Sequence, residues 1–384
     1  MSIHSLPIAI LFQVSVALVV YAYLGYPLLL GLLRVVRGKV PERQDITPTV
    51  TILISAFNEE KLIAEKIEST IALDYTPDKL EIMVASESTD GTNSIVEGYS
   101  GCGVRLFVPP GQRCGKAATL YAAVPFTKSE IIVFADANAF YPRDALRKII
   151  RNFADPRVGA VAGRLTYRQD GVSHGYTESL YLRYEAWLKR LESNLFSSLG
   201  ADGCLFAIRR ELYFPLSRGR GDDFELPVQI LLRGYGSILE PEAISCEESS
   251  KSVAKEFRRR IRCVAWVSAS ALMLAREAFH RRRWFVLFQL VSHKFLRWFT
   301  LLLLLIALLT SAMLQGVFYQ TVLALQVGLY SLVLLTSVLD RLRIRIPKLL
   351  LAPYYFCAIH LAALVGLGQG LNSPAEIHTW EKTR

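Results

Sequence analysis

IIVFADAN, residues 131–138, decides the reading of this chain. Ile131, Ile132, Val133 and Phe134 make an unbroken apolar run that leads through Ala135 into Asp136. Such a run reads as a strand covered on both faces, as in a parallel sheet. An acid where the strand ends stands at the carboxyl edge, where open α/β sheets bind their ligands. On an extended chain Asp136 and Asn138 share a side, because side chains alternate with period two. Two oxygen donors placed so suit a hard divalent cation, Mg²⁺ or Mn²⁺. The plainer reading makes Asp136 only the N-cap of a helix that starts after Pro142.

Working outward, the same pattern repeats. Residues 48–55 (PTVTILIS) read as a strand that runs into Ala56-Phe57-Asn58-Glu59-Glu60, followed by a helical pattern at 61–73. Residues 80–86 read as a second strand, ending in Glu87-Ser88-Thr89-Asp90-Gly91-Thr92, and 104–108 as a short third. Residues 115–124 read as a helix. Strands alternating with helices predict an α/β domain with a mostly parallel, Rossmann-like sheet and right-handed crossovers. The polar segments then converge on one edge of one sheet. Two common nucleotide motifs are excluded. Gly101-Cys102-Gly103 lacks the third glycine of a dinucleotide fingerprint, and 111–117 (GQRCGKA) is a residue short of a P-loop and lacks its Ser/Thr.

Past the sheet, 176–196 reads as a long helix whose Tyr176, Tyr181, Tyr184 and Trp187 pack against neighbours. Gly200-Ala201-Asp202-Gly203 follows, then the acidic pair Asp222-Asp223 ahead of another helical run. Adjacent acids there are either helix N-terminal charges or include a general base, since repulsion raises one of the two pKa values. Residues 255–262 (KEFRRRIR) hold five cations in eight positions. They make a helix face beside anionic lipid, or an arginine clamp for phosphate oxygens.

The formal charge is +10, with the basic excess crowded near apolar stretches. Residues 1–33, 298–339 and 349–375 contain no Asp, Glu, Lys or Arg. At about 20 residues per spanning helix, these hold four spans, the middle stretch turning near Gln315-Gly316. The expected organisation is a transmembrane helix at 1–33, a cytoplasmic domain at 34–283, an interfacial amphipathic helix at 284–297, three transmembrane helices at 298–375 and a tail at 376–384. Residues 1–33 lack the basic start of a signal peptide. Arg34, Arg37, Lys39 and Arg43, with Arg341, Arg343, Arg345 and Lys348, place the charged domain inside by the positive-inside rule. That predicts an integral protein of the plasma (inner) membrane with a cytoplasmic site. The six cysteines show no metal spacing and read as reduced structural thiols. No nucleic-acid motif accompanies the basic runs. A transporter is disfavoured because the spans carry no Asp, Glu, Lys or Arg, and His360 reads as a packed histidine.

The order FNEE, STDGT, GKAATL, FADAN, GADG-x-x-FAIRREL, DDFELP and a basic R-R-x-R run before apolar helices resembles the membrane-bound glycosyltransferases of family 2. Cellulose, chitin, hyaluronan and poly-N-acetylglucosamine synthases belong to that group. The resemblance covers residues 50–297 and implies a GT-A fold binding a nucleotide-diphosphate sugar, a UDP-sugar, with Mg²⁺ or Mn²⁺. It implies Glu59 beside the nucleoside, and Glu87 where the family places an Asp that reads the base. Lys116 would face the nucleotide phosphates. Asp136 and Asn138 would hold the metal. Asp223, with Asp222 beside it, would be the catalytic base of an inverting transfer. Arg259, Arg260 and Arg262 would offset charge on the leaving diphosphate. The acceptor implied is a polysaccharide or a lipid-linked glycan at the membrane surface, in cell-surface polysaccharide synthesis. Asn138 stands where the family has an Asp, and Trp266 stands four residues beyond an arginine run that lacks the usual Q-x-x-R-W. The alternative is a non-catalytic scaffold or export subunit that binds nucleotide.

Overall fold

The computed structural model describes residues 5–38, 40–111, 113, 115–168, 173–215, 221–248, 253–342, 344 and 346–372. Cys114, Lys39, Arg343, Arg345 and the 376–384 tail fall outside those residues.

Seven strands form one sheet, in the order β3-β2-β1-β4-β6-β5-β7. The four strands expected from sequence are present as β1 (Val50–Ala56), β2 (Leu80–Ser86), β3 (Val104–Phe107) and β4 (Ile131–Asp136). They pair in parallel, β2 with β1 and β3, and β1 with β4. Beyond them β5 (Val158–Arg168) and β7 (Gly236–Glu248) run parallel to each other, and β6 (Leu205–Arg209) runs antiparallel between β4 and β5. The sequence pattern did not reveal this second half.

Alternation along the central strands sorts the core into two layers. Ile52, Ile54, Ile131 and Val133 pack with Ile63 and Ile67 of the helix Ile63–Ile71 and with Ile149 of Ala145–Ile150. Leu53, Ile132 and Phe134 pack on the other face with Leu120 of Lys116–Ala123 and Leu226 and Ile230 of Asp222–Leu232. By the same parity Asp136 falls on this second face, at the end of β4. The strand stops there. Ala139 N–H donates to the Asp136 carbonyl at 3.2 Å, and Asn138 lies in the resulting turn. The expectation that strand alternation aligns Asp136 with Asn138 is thereby corrected, because alternation ends with the extended backbone.

Strand β1 leads by β2 to one side, while β4 lies on its other side, so the sheet changes direction between β1 and β4. Ser55 and Asp136 are register partners across that switch point. Ligands of open α/β sheets gather at such places.

Among the described residues three helices are long and apolar enough to cross a membrane: Leu6–Arg37, Val317–Arg341 and Leu349–Asn372. Trp284–Trp298 and Thr300–Met313 pass that test only as a pair, bent by 59°. Alone, the second limb would reach only about 21 Å at 1.5 Å per residue. The four spans expected from sequence are reached only if this bent pair counts as one.

Candidate active site

The site is built where both central strands end. Gly115 takes a left-handed φ of 85° just before Lys116 opens its helix. Its N–H donates to Glu87 Oε2 at 2.9 Å, so Glu87 pins the loop that presents Lys116. Lys116 Nζ lies 2.6 Å from Asp136 Oδ1, 3.5 Å from the Gly203 carbonyl and 4.0 Å from Asp222 Oδ2. Ser55 Oγ donates to the same Asp136 oxygen at 3.1 Å. Four segments distant in sequence thus meet around one ammonium.

Asp222 and Asp223 open the helix Asp222–Leu232, where the N-terminal dipole favours negative charge. Gly203 faces them. A Cβ on Gly203 would stand 3.2 Å from Asp223 Oδ2 and 3.4 Å from Lys116 Nζ, so glycine leaves these two groups their approach. Behind Gly203, Lys189 Nζ pairs with Asp202 Oδ1 at 2.8 Å. Burial, the Asp222 carboxylate and Asp202 push Asp223 up to about 7, against the pull of Lys116 and Lys189. Burial also raises Asp222, opposed by Lys116 and reinforced by Asp136. Its Oδ2 is buried and accepts no hydrogen bond among the described residues. Burial works to discharge Lys116, yet Asp136, Asp222 and Asp223 outweigh it and hold the amine above the ordinary lysine range. The result is a fixed cation beside a carboxyl poised near neutrality, the balance a general base needs.

Beside this cluster lies a small open cleft, lined by Ser55, Ala56, Phe57, Glu87, Arg113 and Lys116 among others. Arg113 lays its guanidinium over the Phe57 ring at 3.6 Å. Neither residue was singled out from sequence. Arg113 sits in the loop dismissed as an imperfect P-loop, and Phe57 in the segment where Glu59 drew attention. Glu59 itself is nearly buried. Its N–H donates to Thr92 Oγ1 at 2.9 Å, and its carbonyl accepts from Leu62 and Ile63, so its backbone starts the next helix.

Asp136 and Asn138 are both partly exposed oxygen donors. Among the described residues no three His, Cys, Asp or Glu side chains gather to hold a metal. A cation here would draw its other ligands from phosphate oxygens and water, as Mg²⁺ commonly does, so the donor set fits. The arginines engage other partners. Arg259 pairs with Glu256 at 2.6 Å and donates to Tyr167 Oη at 2.9 Å. Arg260 donates to Tyr181 Oη at 3.1 Å, and Arg262 lies over the Trp266 ring at 5.4 Å. On the long helix Ser173–Ser193, Tyr181 therefore does more than pack, since its hydroxyl holds Arg260, while the Tyr176 side chain lies outside the described residues.

Residues 51–214 match the sequence model described as Glycosyl transferase family 2. The beta-monoglucosyldiacylglycerol synthase of Synechocystis sp. is 30% identical over 130 residues, which are 33% of this chain and 27% of that one. The poly-beta-1,6-N-acetyl-D-glucosamine synthase of Staphylococcus aureus is 23% identical over 60% of this chain and 56% of its own length. The chain thus spans between about a quarter and three-fifths of these relatives. Among solved structures, a mannosyltransferase of Pyrobaculum calidifontis in complex with GDP-Man and Mn²⁺ superimposes with a TM-score of 0.65 at 26% identity. That match covers 93% of this chain and 98% of the other. Residues 51–214 thus resemble glycosyl transferase family 2, and the fold is GT-A-like.

Proposed function

We propose that this protein is an inverting membrane glycosyltransferase. It moves a sugar from a nucleoside-diphosphate sugar to a glycan or lipid-linked acceptor, in the synthesis of a cell-surface polysaccharide or glycolipid. The observation that carries this reading is the meeting of Lys116, Asp136 and the raised Asp223 around Gly203. Asp223 takes the proton from an acceptor hydroxyl, with Asp222 beside it raising its basicity. The hydroxyl oxygen then attacks the anomeric carbon from the face opposite the diphosphate, so the configuration inverts. Lys116 faces the departing diphosphate and stabilises its charge. Arg259, Arg260 and Arg262 add to that once they exchange their present partners for phosphate. Asp136 and Asn138 would hold Mg²⁺ or Mn²⁺, which when bound neutralises charge on the two phosphates.

The cleft between Phe57, Glu87 and Arg113 takes the base, with Glu59 near the nucleoside. A carboxylate at Glu87 accepts from a ring N–H, N3–H of uracil or N1–H of guanine. A UDP-sugar is the expected donor, and the GDP-Man complex of the Pyrobaculum protein makes a GDP-sugar its competitor. We place the domain of residues 34–283 on the cytoplasmic side of the plasma (inner) membrane, anchored by the apolar helices, with 284–297 at the interface.

The test is nucleotide release by the full chain in nanodiscs. It is run against UDP-, GDP- and dTDP-sugars, with Mn²⁺, Mg²⁺ or EDTA and native lipid extract as acceptor. Release with one donor, abolished by EDTA, supports the reading and names the donor. No release with any donor points to the nucleotide-binding scaffold instead.

A further inference from the structure

One buried charge has no part in the chemistry above. Lys66, on the helix Ile63–Ile71, is 0% exposed. Burying an ammonium costs several kcal/mol even after relaxation, and an apolar residue of similar size commonly serves stability better. Among the described residues its contacts are a carbonyl and a ring face rather than a carboxylate. The ammonium donates to the Ala139 carbonyl and stands 3.8 Å from the centre of the Tyr141 ring. Burial pulls it down to about 7, while Asp136, Cys204 and Glu247 pull the other way.

What the charge holds is the turn that leaves Asp136. Ala139 closes that turn on the Asp136 carbonyl. The next residue, Phe140, exchanges backbone hydrogen bonds with Cys246 of β7 at 3.0 and 2.8 Å. Tyr141 then donates its hydroxyl to the Cys204 carbonyl at 2.6 Å. Cys204 follows Gly203, whose lack of a side chain leaves Lys116 and Asp223 their approach. One lysine, approaching from the sheet face opposite Lys116, therefore ties together both sides of the cluster. It fixes the turn directly and the Gly203 segment through Tyr141.

We infer that Lys66 is a positioning residue. It fixes the 137–139 turn, and through Tyr141 the entry to β6, so that Asp136 and Asp223 keep the spacing the transfer requires. This rests on the proposed transfer for its kinetic consequence, but not for its structural one. Misplacing a reacting group by about 1 Å costs on the order of a hundredfold in rate. Stability, by contrast, gains little from a buried ammonium that an apolar side chain of similar size can replace.

The experiment compares Lys66→Met and Tyr141→Phe with the full-length protein in nanodiscs. It measures Tm, kcat and KM for the donor, and hydrogen exchange of the 137–141 and 202–205 amides. For Lys66→Met we expect Tm unchanged or raised, faster exchange in both segments and kcat lower by about tenfold or more. KM should stay within about threefold, because the cleft for the base is built from other segments. Tyr141→Phe keeps the packing, so it decides the matter if Lys66→Met fails to fold. It should quicken exchange at 202–205 and lower kcat by about threefold or more. Wild-type kcat in either folded variant overturns the inference, as does a kcat that falls only in step with Tm. If the unmodified protein releases no nucleotide, the proposed function fails. Exchange at 137–141 in Lys66→Met then decides the positioning role alone, and wild-type rates there overturn it.

Discussion

In the proposed transfer Asp223 carries the heaviest chemical demand of any residue. Its carboxyl is held up by burial and by Asp222. The form active in that transfer is the deprotonated one, so kcat should fall as pH drops through about 7, well above the usual carboxylate range. A pH–rate profile with its acid limb near 4 would contradict this. The same shift bears on stability. A folded-state pKa above the unfolded one means the fold binds the proton more tightly. The cost of ionising Asp223 is absent below the unfolded carboxylate range, grows as pH rises, and is complete above about 7. Asp223→Asn should therefore raise Tm by about 2 °C or more at pH 8 and leave it nearly unchanged at pH 4, read by thermal scans. Asp136 was legible at its strand end and Asp222-Asp223 as an acidic pair ahead of a helix, while Lys116 followed only from the family resemblance. Ser55, Gly203 and Lys66 were not legible. Ser55 earns its place only through register with Asp136, and Gly203 only through what a side chain there would strike. Lys66 lies inside the helical pattern at 61–73, and only the packed fold reveals that it is buried.

At the scale of elements, β1 to β4 were readable because each is an apolar run bounded by turn residues. The β5–β7 half was hidden because β5 and β7 are long, bulged and mixed in pattern, and their pairing is set by tertiary contact. Membrane and catalytic elements meet along the helices Val253–His280 and Leu349–Asn372. Gly366 and Gly370 let them touch. A Cβ on Gly370 would strike Ser268 Oγ and the Ala265 carbonyl, and one on Gly366 would strike the Ile261 carbonyl. Small residues four apart permit such close approach in membrane helices. Gly370→Leu should lower stability by about 1–3 kcal/mol or more, since backbone must shift to admit the side chain. A thermal scan in detergent at the wild-type midpoint would show that the helices are not packed this way. The arginine run belongs to the same helix, so this packing also sets where Arg259, Arg260 and Arg262 stand.

Over the whole molecule, the N-terminal apolar helix is bonded to the domain rather than merely tethered. Tyr26 is fully buried and donates to Glu192 Oε1 at 2.7 Å. Glu192, also fully buried, accepts from Leu199 N–H at 3.0 Å and contacts His293 Nδ1 at 2.8 Å. Leu199 begins the segment that reaches Gly203. Membrane anchor, long helix and catalytic edge are thus joined through one carboxylate. Tyr26→Phe withdraws a donor from it and should cost about 1–3 kcal/mol, measured as a fall in Tm; an unchanged Tm would show that the bond carries no stability. The apolar stretches were plain in the sequence, and the 59° bend between Trp284–Trp298 and Thr300–Met313 lies beside the expected junction of the 284–297 helix with the span that follows.

The central claim is that Asp223 performs chemistry and does not merely shape the fold. The most direct measurement pairs binding with turnover in Asp223→Asn, using the full chain in nanodiscs and the donor identified by nucleotide release. The account predicts donor binding within about threefold of wild type and turnover lower by a factor of about 10² to 10⁴, the usual contribution of a general base. Wild-type turnover in a folded, donor-binding Asp223→Asn protein would contradict it.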